Sequence, residues 1–279
     1  MSSAEQHGST IAVIGAGVMG ETFVAGLIRA GIPADRIVIA EKVAEREQQV
    51  RQTYGVTSAD PAEAVGGADT VLLAVKPQDA RQALGAIGPH IEAGAALISL
   101  AAGISTDDLQ SYVGQEVTCL RAMPNTPAVI GEGMTVISAG VTADPATVER
   151  VRGILSVLGA TAQVDERLQD AVTAISGSGP AYVFAFMESL EAAGIELGLD
   201  PEVARLLVLQ TVAGATLLAR GSDVDPAELR RRVTSPGGTT QAALAVLTGG
   251  GDPDQGWAPL IAAATRAARD RGAELGREA

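Results

Sequence analysis

The stretch Thr10-Ile-Ala-Val-Ile-Gly15-Ala-Gly17-Val-Met-Gly20 combines a short β-branched strand, a glycine turn and the start of a helix. Gly15 permits a tight turn, Gly17 lets the backbone approach a pyrophosphate, and Gly20 lets the helix pack close to the strand. The free amides at the helix N-terminus would face the phosphates. A glycine-rich turn without a ligand is the alternative, but the surrounding strands and helix lie where a dinucleotide site requires them. The predicted cofactor-binding residues here are Gly15, Ala16, Gly17, Val18, Met19 and Gly20.

Strand and helix patterns alternate through the first half of the chain, and this predicts a parallel sheet with helices on both faces. The strand candidates are 10–15, 37–40, 70–75, 95–100, 117–121 and 134–138, with helical segments at 20–30, 44–52 and 78–87. After about residue 165 only helical patterns follow, at 168–174, 181–199, 201–219, 226–233, 239–247 and 259–275. We therefore predict a flexible tail (1–9), an α/β domain (10–165) and an all-α domain (166–279).

Composition excludes several classes of function. Lys and Arg total 20 against 33 Asp and Glu, a net charge of -13, and no basic run offers a nucleic acid a positive face. Cys119 is the single cysteine, which fits a reducing compartment. The polar N-terminus does not resemble a secretory signal. We expect a soluble, cytoplasmic protein that binds neither nucleic acid nor membrane, and no cluster of residues suggests a metal site.

One helix of the second half has too little polar surface for a monomer. Residues 203–209 are almost entirely apolar, and a helix that is hydrophobic nearly all round is buried. A small helical domain could hardly cover this helix alone, so we predict an intertwined homodimer. The alternative is an ordinary core within one domain.

The end of the second strand bears on the choice of cofactor. Glu41 lies where a carboxylate usually binds the ribose diol and disfavours a 2′-phosphate. Lys42 follows directly and Arg46 lies one helical turn on, so either cation could meet a 2′-phosphate. NADPH and NADH both remain open, with NADPH slightly favoured.

Ligands sit at the carboxyl ends of parallel strands, and three further loops lie at such ends. Ala74-Val75-Lys76-Pro77 fits a loop over the cofactor, although it could equally be strand punctuation. Ala101-Ala102-Gly103 offers small residues that admit a ligand. The segment 121–127 carries Met123, Pro124 and Asn125 in a rigid polar loop, which we place beside the nicotinamide.

Two glycine-rich and hydroxyl-rich segments interrupt the helical half. They are Ser176-Gly-Ser-Gly-Pro-Ala-Tyr182 and Ser235-Pro-Gly-Gly-Thr-Thr240. Each presents free amides and hydroxyls at a helix N-terminus, which suits a carboxylate. Both could also be simple helix caps.

These segments resemble the signatures of the pyrroline-5-carboxylate reductase family. SGSGPAYVF at 176–184 and TSPGGTT at 234–240 follow GAGVMG, AVKP and RAMPNTP in the expected order, and the resemblance covers residues 10 to about 271. It implies a Rossmann-like N-terminal domain, a helical C-terminal dimerisation domain and reduction of a cyclic imine to proline. In some members of the family the dimers assemble into decamers.

The resemblance also implies roles for individual residues. The amides of Gly237, Gly238 and Thr239 would hold the substrate carboxylate, and Thr240 would hydrogen-bond the ring nitrogen as the catalytic residue. The turn of Ser178, Gly179 and Pro180 would line the ring. Val75, Lys76, Pro77 and Ala101 would bracket the nicotinamide, with Met123, Pro124 and Asn125 near it.

The sequence has only two histidines, His7 and His90, and neither lies in a catalytic motif. Ketone reduction needs a proton donor, whereas an imine can arrive already protonated. The rival 3-hydroxyacid dehydrogenase type places a catalytic lysine where this chain has Val183, and no lysine follows Lys76. A non-catalytic cofactor-sensing protein is the other rival, and it would leave the substrate loops unexplained.

Overall fold

The computed structural model describes residues 9–252 and 254–278. The predicted tail at 1–9 therefore lies, apart from Ser9, outside the described residues. The contacts divide the chain into two units, one reaching Ser178 and including the segment from Ala268, the other running from Gly179 to Ala267.

The first unit is built on one eight-stranded sheet in the order β3-β2-β1-β4-β5-β6-β7-β8. The strands are β1 (Ile11–Ile14), β2 (Ile37–Ala40), β3 (Thr57–Ser58), β4 (Thr70–Leu73), β5 (Ala96–Ser99), β6 (Thr118–Met123), β7 (Gly133–Ala139) and β8 (Gly159–Gln163). Its helices are α1 (Val18–Arg29), α2 (Ala44–Tyr54), α3 (Pro61–Val65), α4 (Pro77–Ile87), α5 (Thr106–Tyr112), α6 (Pro145–Leu155) and α7 (Gln169–Val172).

The sheet has a core on each face because its strands are buried on both sides. Ile11 and Val13 of β1 belong to one core, while Ala12 and Ile14 belong to the other. Such near-continuous apolar strands are typical of parallel sheets covered by helices. The prediction of a Rossmann-like parallel sheet is confirmed for β1 to β6.

Two details of the sheet differ from the prediction. β7 pairs antiparallel with β6, which the strand pattern could not reveal. The strands β3 and β8 were not predicted, because β3 has two residues and β8 has the weakly apolar sequence GATAQ.

The second unit is helical, as predicted. Its helices are α8 (Gly179–Glu196), α9 (Pro201–Arg220), α10 (Pro226–Arg232), α11 (Thr239–Leu247) and α12 (Trp257–Glu278), the last of which continues into the segment assigned to the first unit. Asp200 and Asp225 are the N-caps of α9 and α10. Each accepts hydrogen bonds from backbone amides of the first turn, and a proline follows each of them. Phe186 and Trp257 pack edge to face, with their ring centroids 5.3 Å apart.

The apolar helix α9 is largely uncovered within one chain. Only Ala204 and Val208 are buried, while Leu206 is 67% and Leu218 is 62% exposed. The alternative of an ordinary core within one domain is therefore wrong for this helix. By length and composition α9 could also cross a membrane.

Candidate active site

The glycine turn lies where β1, β2 and β4 end side by side. The Gly15 amide donates to the Ala40 carbonyl at 2.8 Å, which ties the turn to the end of β2. A Cβ on Gly15 would lie 3.0 Å from the carbonyl oxygen of Ala74, so the turn also contacts the segment after β4. The structure thus brings Gly15, Ala40 and Ala74 together at the edge where ligands sit in such sheets.

The N-terminus of α1 fits an anionic group. Gly17 is its N-cap and supplies no side-chain cap, and a Cβ on Gly17 would point into open space. A Cβ on Gly20 would overlap the carbonyl oxygen of Gly15, so only glycine allows the helix to approach the turn this closely. Open space in front of uncapped helix amides is what a bound pyrophosphate requires. Val18 and Met19 occupy the first turn, and Val18 is exposed.

Glu41 is fixed by two backbone amides. Its Oε2 accepts from Ala16 at 2.8 Å, and its Oε1 accepts from Val43 at 3.0 Å. The carboxylate therefore lies at the end of β2, directly against the glycine turn, with neither oxygen free of a donor.

The two cations near Glu41 are engaged elsewhere. Arg46 donates from Nε to the Ala16 carbonyl at 3.0 Å, pairs with Glu21 and bonds Gln49. Lys42 is exposed and forms an ion pair with Asp79 at 3.0 Å. Arg46 therefore stabilises the glycine turn through the Ala16 carbonyl.

The next two strands end at the same edge of the sheet. Leu73 of β4 pairs with Ser99 of β5, so the segment 74–77 and Ala101 follow neighbouring strand ends. Lys76 is the exposed N-cap of α4, and Pro77 occupies the first turn of that helix. Ala101 is buried and donates its amide to Ser99 Oγ at 3.2 Å.

The loop after β6 contacts the first of the two glycine-rich segments. Asn125 Nδ2 donates to the Ser176 carbonyl at 3.0 Å, and Asn125 Oδ1 accepts from the Met134 amide at 2.8 Å. A Cβ on Gly177 would lie 3.9 Å from Met123 Cγ. The segments predicted to face the cofactor and the substrate ring are therefore neighbours within the first unit.

The first glycine-rich segment is wound unusually. Residues Thr173–Gly177 form a π-helical turn, closed by the bond from the Ser178 amide to the Thr173 carbonyl at 2.8 Å. Such turns are rare and occur frequently at functional sites. Ser178 ends the first unit, and Gly179 and Pro180 begin α8.

The second glycine-rich segment lies at the start of α11. Gly238 is the N-cap, Thr239 and Thr240 form the first turn, and Gly237 adopts φ +72°, which disfavours a side chain. The Gly237 amide donates to Gln241 Oε1 at 2.6 Å, and the Gly238 amide donates to the Ser235 carbonyl at 3.1 Å. Two of the three amides predicted for the carboxylate thus have internal acceptors. The sequence analysis did not predict that Gln241 contributes to this segment. The spacing of four residues between Gly237 and an amide side chain could have indicated the hydrogen bond.

Other reactive groups offer little to catalysis. Burial raises the pKa of the Cys119 thiol to about 12, so this cysteine is not a nucleophile near neutrality. His90 is exposed in a short turn after α4, and His7 falls outside the described residues. Within residues 9–252 and 254–278, no group of three or more His, Cys, Asp or Glu side chains could hold a metal ion.

Two family models match the chain, one in each half. Residues 10–103 match a model described as NADP oxidoreductase, coenzyme F420-dependent, and residues 166–275 match pyrroline-5-carboxylate reductase dimerisation. The second match includes both glycine-rich segments and the apolar helix α9.

The similarity to known proteins extends over almost the whole chain. A pyrroline-5-carboxylate reductase of Pseudomonas aeruginosa is 40% identical, over 95% of this chain and 96% of its own. The solved structure of a Coxiella burnetii pyrroline-5-carboxylate reductase superimposes with a TM-score of 0.88 at 36% identity, covering 96% and 98% of the two chains. A Plasmodium falciparum pyrroline carboxylate reductase solved with NADP bound gives 0.83 at 28% identity, covering 97% and 99%. On this identity over almost the whole chain, and on the match to the dimerisation model, this chain belongs to the pyrroline-5-carboxylate reductase family.

Proposed function

We propose that this protein reduces 1-pyrroline-5-carboxylate to L-proline with hydride from NAD(P)H, the last step of proline biosynthesis. The observation that carries the proposal is the 40% identity, over 95% of the chain, to a protein named for this reaction. The glycine turn adds independent support, because open space at Gly17 fits the pyrophosphate of the cofactor.

Bound NAD(P)H would supply the hydride, and residues of this chain would hold the cofactor in place. The residues at Gly15–Gly20 would hold the pyrophosphate, Glu41 and Lys42 would lie at the adenosine ribose, and the segment 74–77 with Ala101 would line the nicotinamide side. Met123 and Pro124 complete that side of the pocket. Neighbouring strand ends support this assignment, since they place these segments along one edge of the sheet.

The substrate would be held by the two helix entrances. The N-terminus of α11 binds the carboxylate through Gly237, Gly238 and Thr239, and the substrate oxygen takes the place of Gln241 Oε1 on the Gly237 amide. Thr240 accepts a hydrogen bond from the protonated ring nitrogen, and the turn of Ser178, Gly179 and Pro180 packs on the ring. Because addition of hydride to an iminium yields a neutral amine, orientation is the main requirement.

An assay tests this proposal directly. Purified protein mixed with pyrroline-5-carboxylate and NADPH or NADH should lose the absorbance of the reduced cofactor and form proline. A protein that oxidises neither cofactor in the presence of this substrate is not the proposed enzyme.

The surroundings of Glu41 bear on cofactor preference. The sequence slightly favours NADPH, and the Plasmodium relative was solved with NADP. The side chains in this chain argue the other way: Glu41 is fixed against the glycine turn, Arg46 is bonded to Ala16 and Glu21, and Lys42 is paired with Asp79. A 2′-phosphate would meet a carboxylate whose two neighbouring cations, Lys42 and Arg46, are already paired, so we propose that NADH is the preferred hydride donor.

Replacing Glu41 by glutamine should shift this preference. The change keeps the shape and an acceptor for one backbone amide, but removes the charge. We expect the ratio of kcat/KM for NADPH to that for NADH to rise about tenfold, from the loss of repulsion at a partly solvated site. Glu45→Gln, the same change at an exposed position of α2, is the control and should move the ratio less than twofold. A ratio unchanged in Glu41→Gln would remove Glu41 from cofactor selection.

The apolar helix α9 supports an oligomer. The dimerisation model spans it, and its exposed leucines need a partner surface. We propose a homodimer through the C-terminal helices, which in turn associates into a decamer, in the cytoplasm. Arg205 and Glu202 on α9 favour a protein partner over a lipid one, since ionised side chains are costly inside a membrane.

A further inference from the structure

The carbonyl of Ser176 has lost its normal partner in the helix. In a regular helix it would accept from the amide of residue 180, but residue 180 is a proline and has no N–H. A partly buried carbonyl without a donor is unfavourable, and a partner from elsewhere in the chain satisfies it. Asn125, which is 51 residues away in the sequence, supplies it from Nδ2 at 3.0 Å.

The other end of the same amide is anchored to the sheet. Asn125 Oδ1 accepts from the amide of Met134 in β7, at 2.8 Å. Met134 lies opposite Ala160 of β8, and β7 pairs with β6 from Val136 onward, so the anchor belongs to the sheet. The Asn125 side chain therefore transmits the position of the sheet to the backbone of Ser176.

The bond from Asn125 to Ser176 also helps to fix the position of the π-helical turn. Gln169, which is 2% exposed, fixes the start of α7 through Ser138 Oγ at 2.8 Å. Asn125 fixes the other end of the segment at Ser176, two residues before the turn closes at Ser178. Between these two anchors the widened turn lies against the loop at Met123, where a Cβ on Gly177 would be 3.9 Å from Met123 Cγ.

We infer that Asn125 is a positioning residue: through the Ser176 carbonyl it sets where the Ser178 turn stands relative to the nicotinamide-side loop. The inference rests on the proposed function, in which Ser178 lines the substrate ring. Both ends of the Asn125 amide are bonded within the protein, to Ser176 and to Met134, so the effect proposed here runs through the backbone of Ser176.

The variant that isolates this bond is Asn125→Asp. It keeps the acceptor for the Met134 amide but faces Ser176 with an oxygen instead of an N–H. We expect the KM for pyrroline-5-carboxylate to rise, or kcat to fall, by about tenfold to a hundredfold, as misplacement of a reacting group does. The Kd for the reduced cofactor should stay within twofold. Gln52→Glu, the same change at an exposed site on α2, should leave all three constants unchanged.

A role in folding alone would give a different result. It would lower the melting temperature and weaken cofactor binding together with substrate use. If Asn125→Asp does not fold, Asn125→Ala brings no charge and carries the same expectation. Hydrogen exchange adds a readout that needs no turnover: the Ser178 amide should exchange faster in the variant.

Unchanged KM, kcat and exchange in a folded variant would overturn the inference. Failure of the native protein to reduce the imine would instead overturn the proposed function, and the exchange measurement would still decide whether Asn125 positions the turn.

Discussion

Thr240→Ala should lower kcat by about tenfold to a hundredfold, because the protonated ring nitrogen loses the hydrogen bond that orients it for hydride transfer. Thr240 carries the hydroxyl that we assign to the ring nitrogen, in the first turn of α11. The Kd for the reduced cofactor should not change, because the glycine turn belongs to the other unit. Steady-state kinetics and fluorescence titration of the cofactor measure the two effects separately.

Two variants control this experiment. Thr240→Ser keeps a hydroxyl and should retain most of the activity. Thr248→Ala removes a hydroxyl at the other end of the same helix, where Thr248 donates to the Leu244 carbonyl, and should have native kinetics. Native turnover in Thr240→Ala would show that no hydroxyl at this position serves the reaction.

Gly20→Ala should damage both folding and cofactor binding in the first unit. The added carbon would overlap the backbone oxygen of Gly15, and neither backbone segment can move without displacing the turn from β1. We expect a loss of about 1–3 kcal/mol in the free energy of unfolding, as in other overpacked sites. Cofactor affinity should fall by more than about tenfold, or ~1.4 kcal/mol. Denaturant unfolding and cofactor titration measure the two losses.

Gly85→Ala is the matched control, because Gly85 lies within α4 with nothing near the position of its missing side chain. It should stabilise the protein by about 0.5–1 kcal/mol through helix propensity. Gly17→Val separates binding from folding: its side chain would enter the open space in front of α1, so stability should persist while cofactor binding is lost. A Gly20→Ala protein of native stability and native affinity would contradict the close packing described here.

Sequence patterns predicted those parts of the fold and the site that are formed by residues close together in the sequence. The glycine turn, the six predicted strands and the helices of the second half each fit within one stretch of sequence. Strand direction does not, because the alternation of side chains is the same in both orientations, and the antiparallel β7 was therefore not predicted. The edge strand β8 lacked an apolar run to mark it.

The hydrogen bonds of the site between residues distant in sequence could not be predicted. Nothing local connects Asn125 with Ser176, or Glu41 with the amide of Ala16, since 51 and 25 residues separate the partners. The direction in which Arg46 turns also decides its role: pointing at Ala16 and Glu21, it supports the turn instead of meeting a phosphate. Residue type alone left that choice open.

Transfer of labelled hydride tests the central claim most directly. Reduced cofactor with both hydrogens at C4 of the nicotinamide replaced by deuterium should be consumed one-for-one with pyrroline-5-carboxylate, and mass spectrometry should find one deuterium at C5 of the proline formed. Unlabelled proline, or cofactor that stays reduced beside the imine, would contradict hydride delivery by this protein.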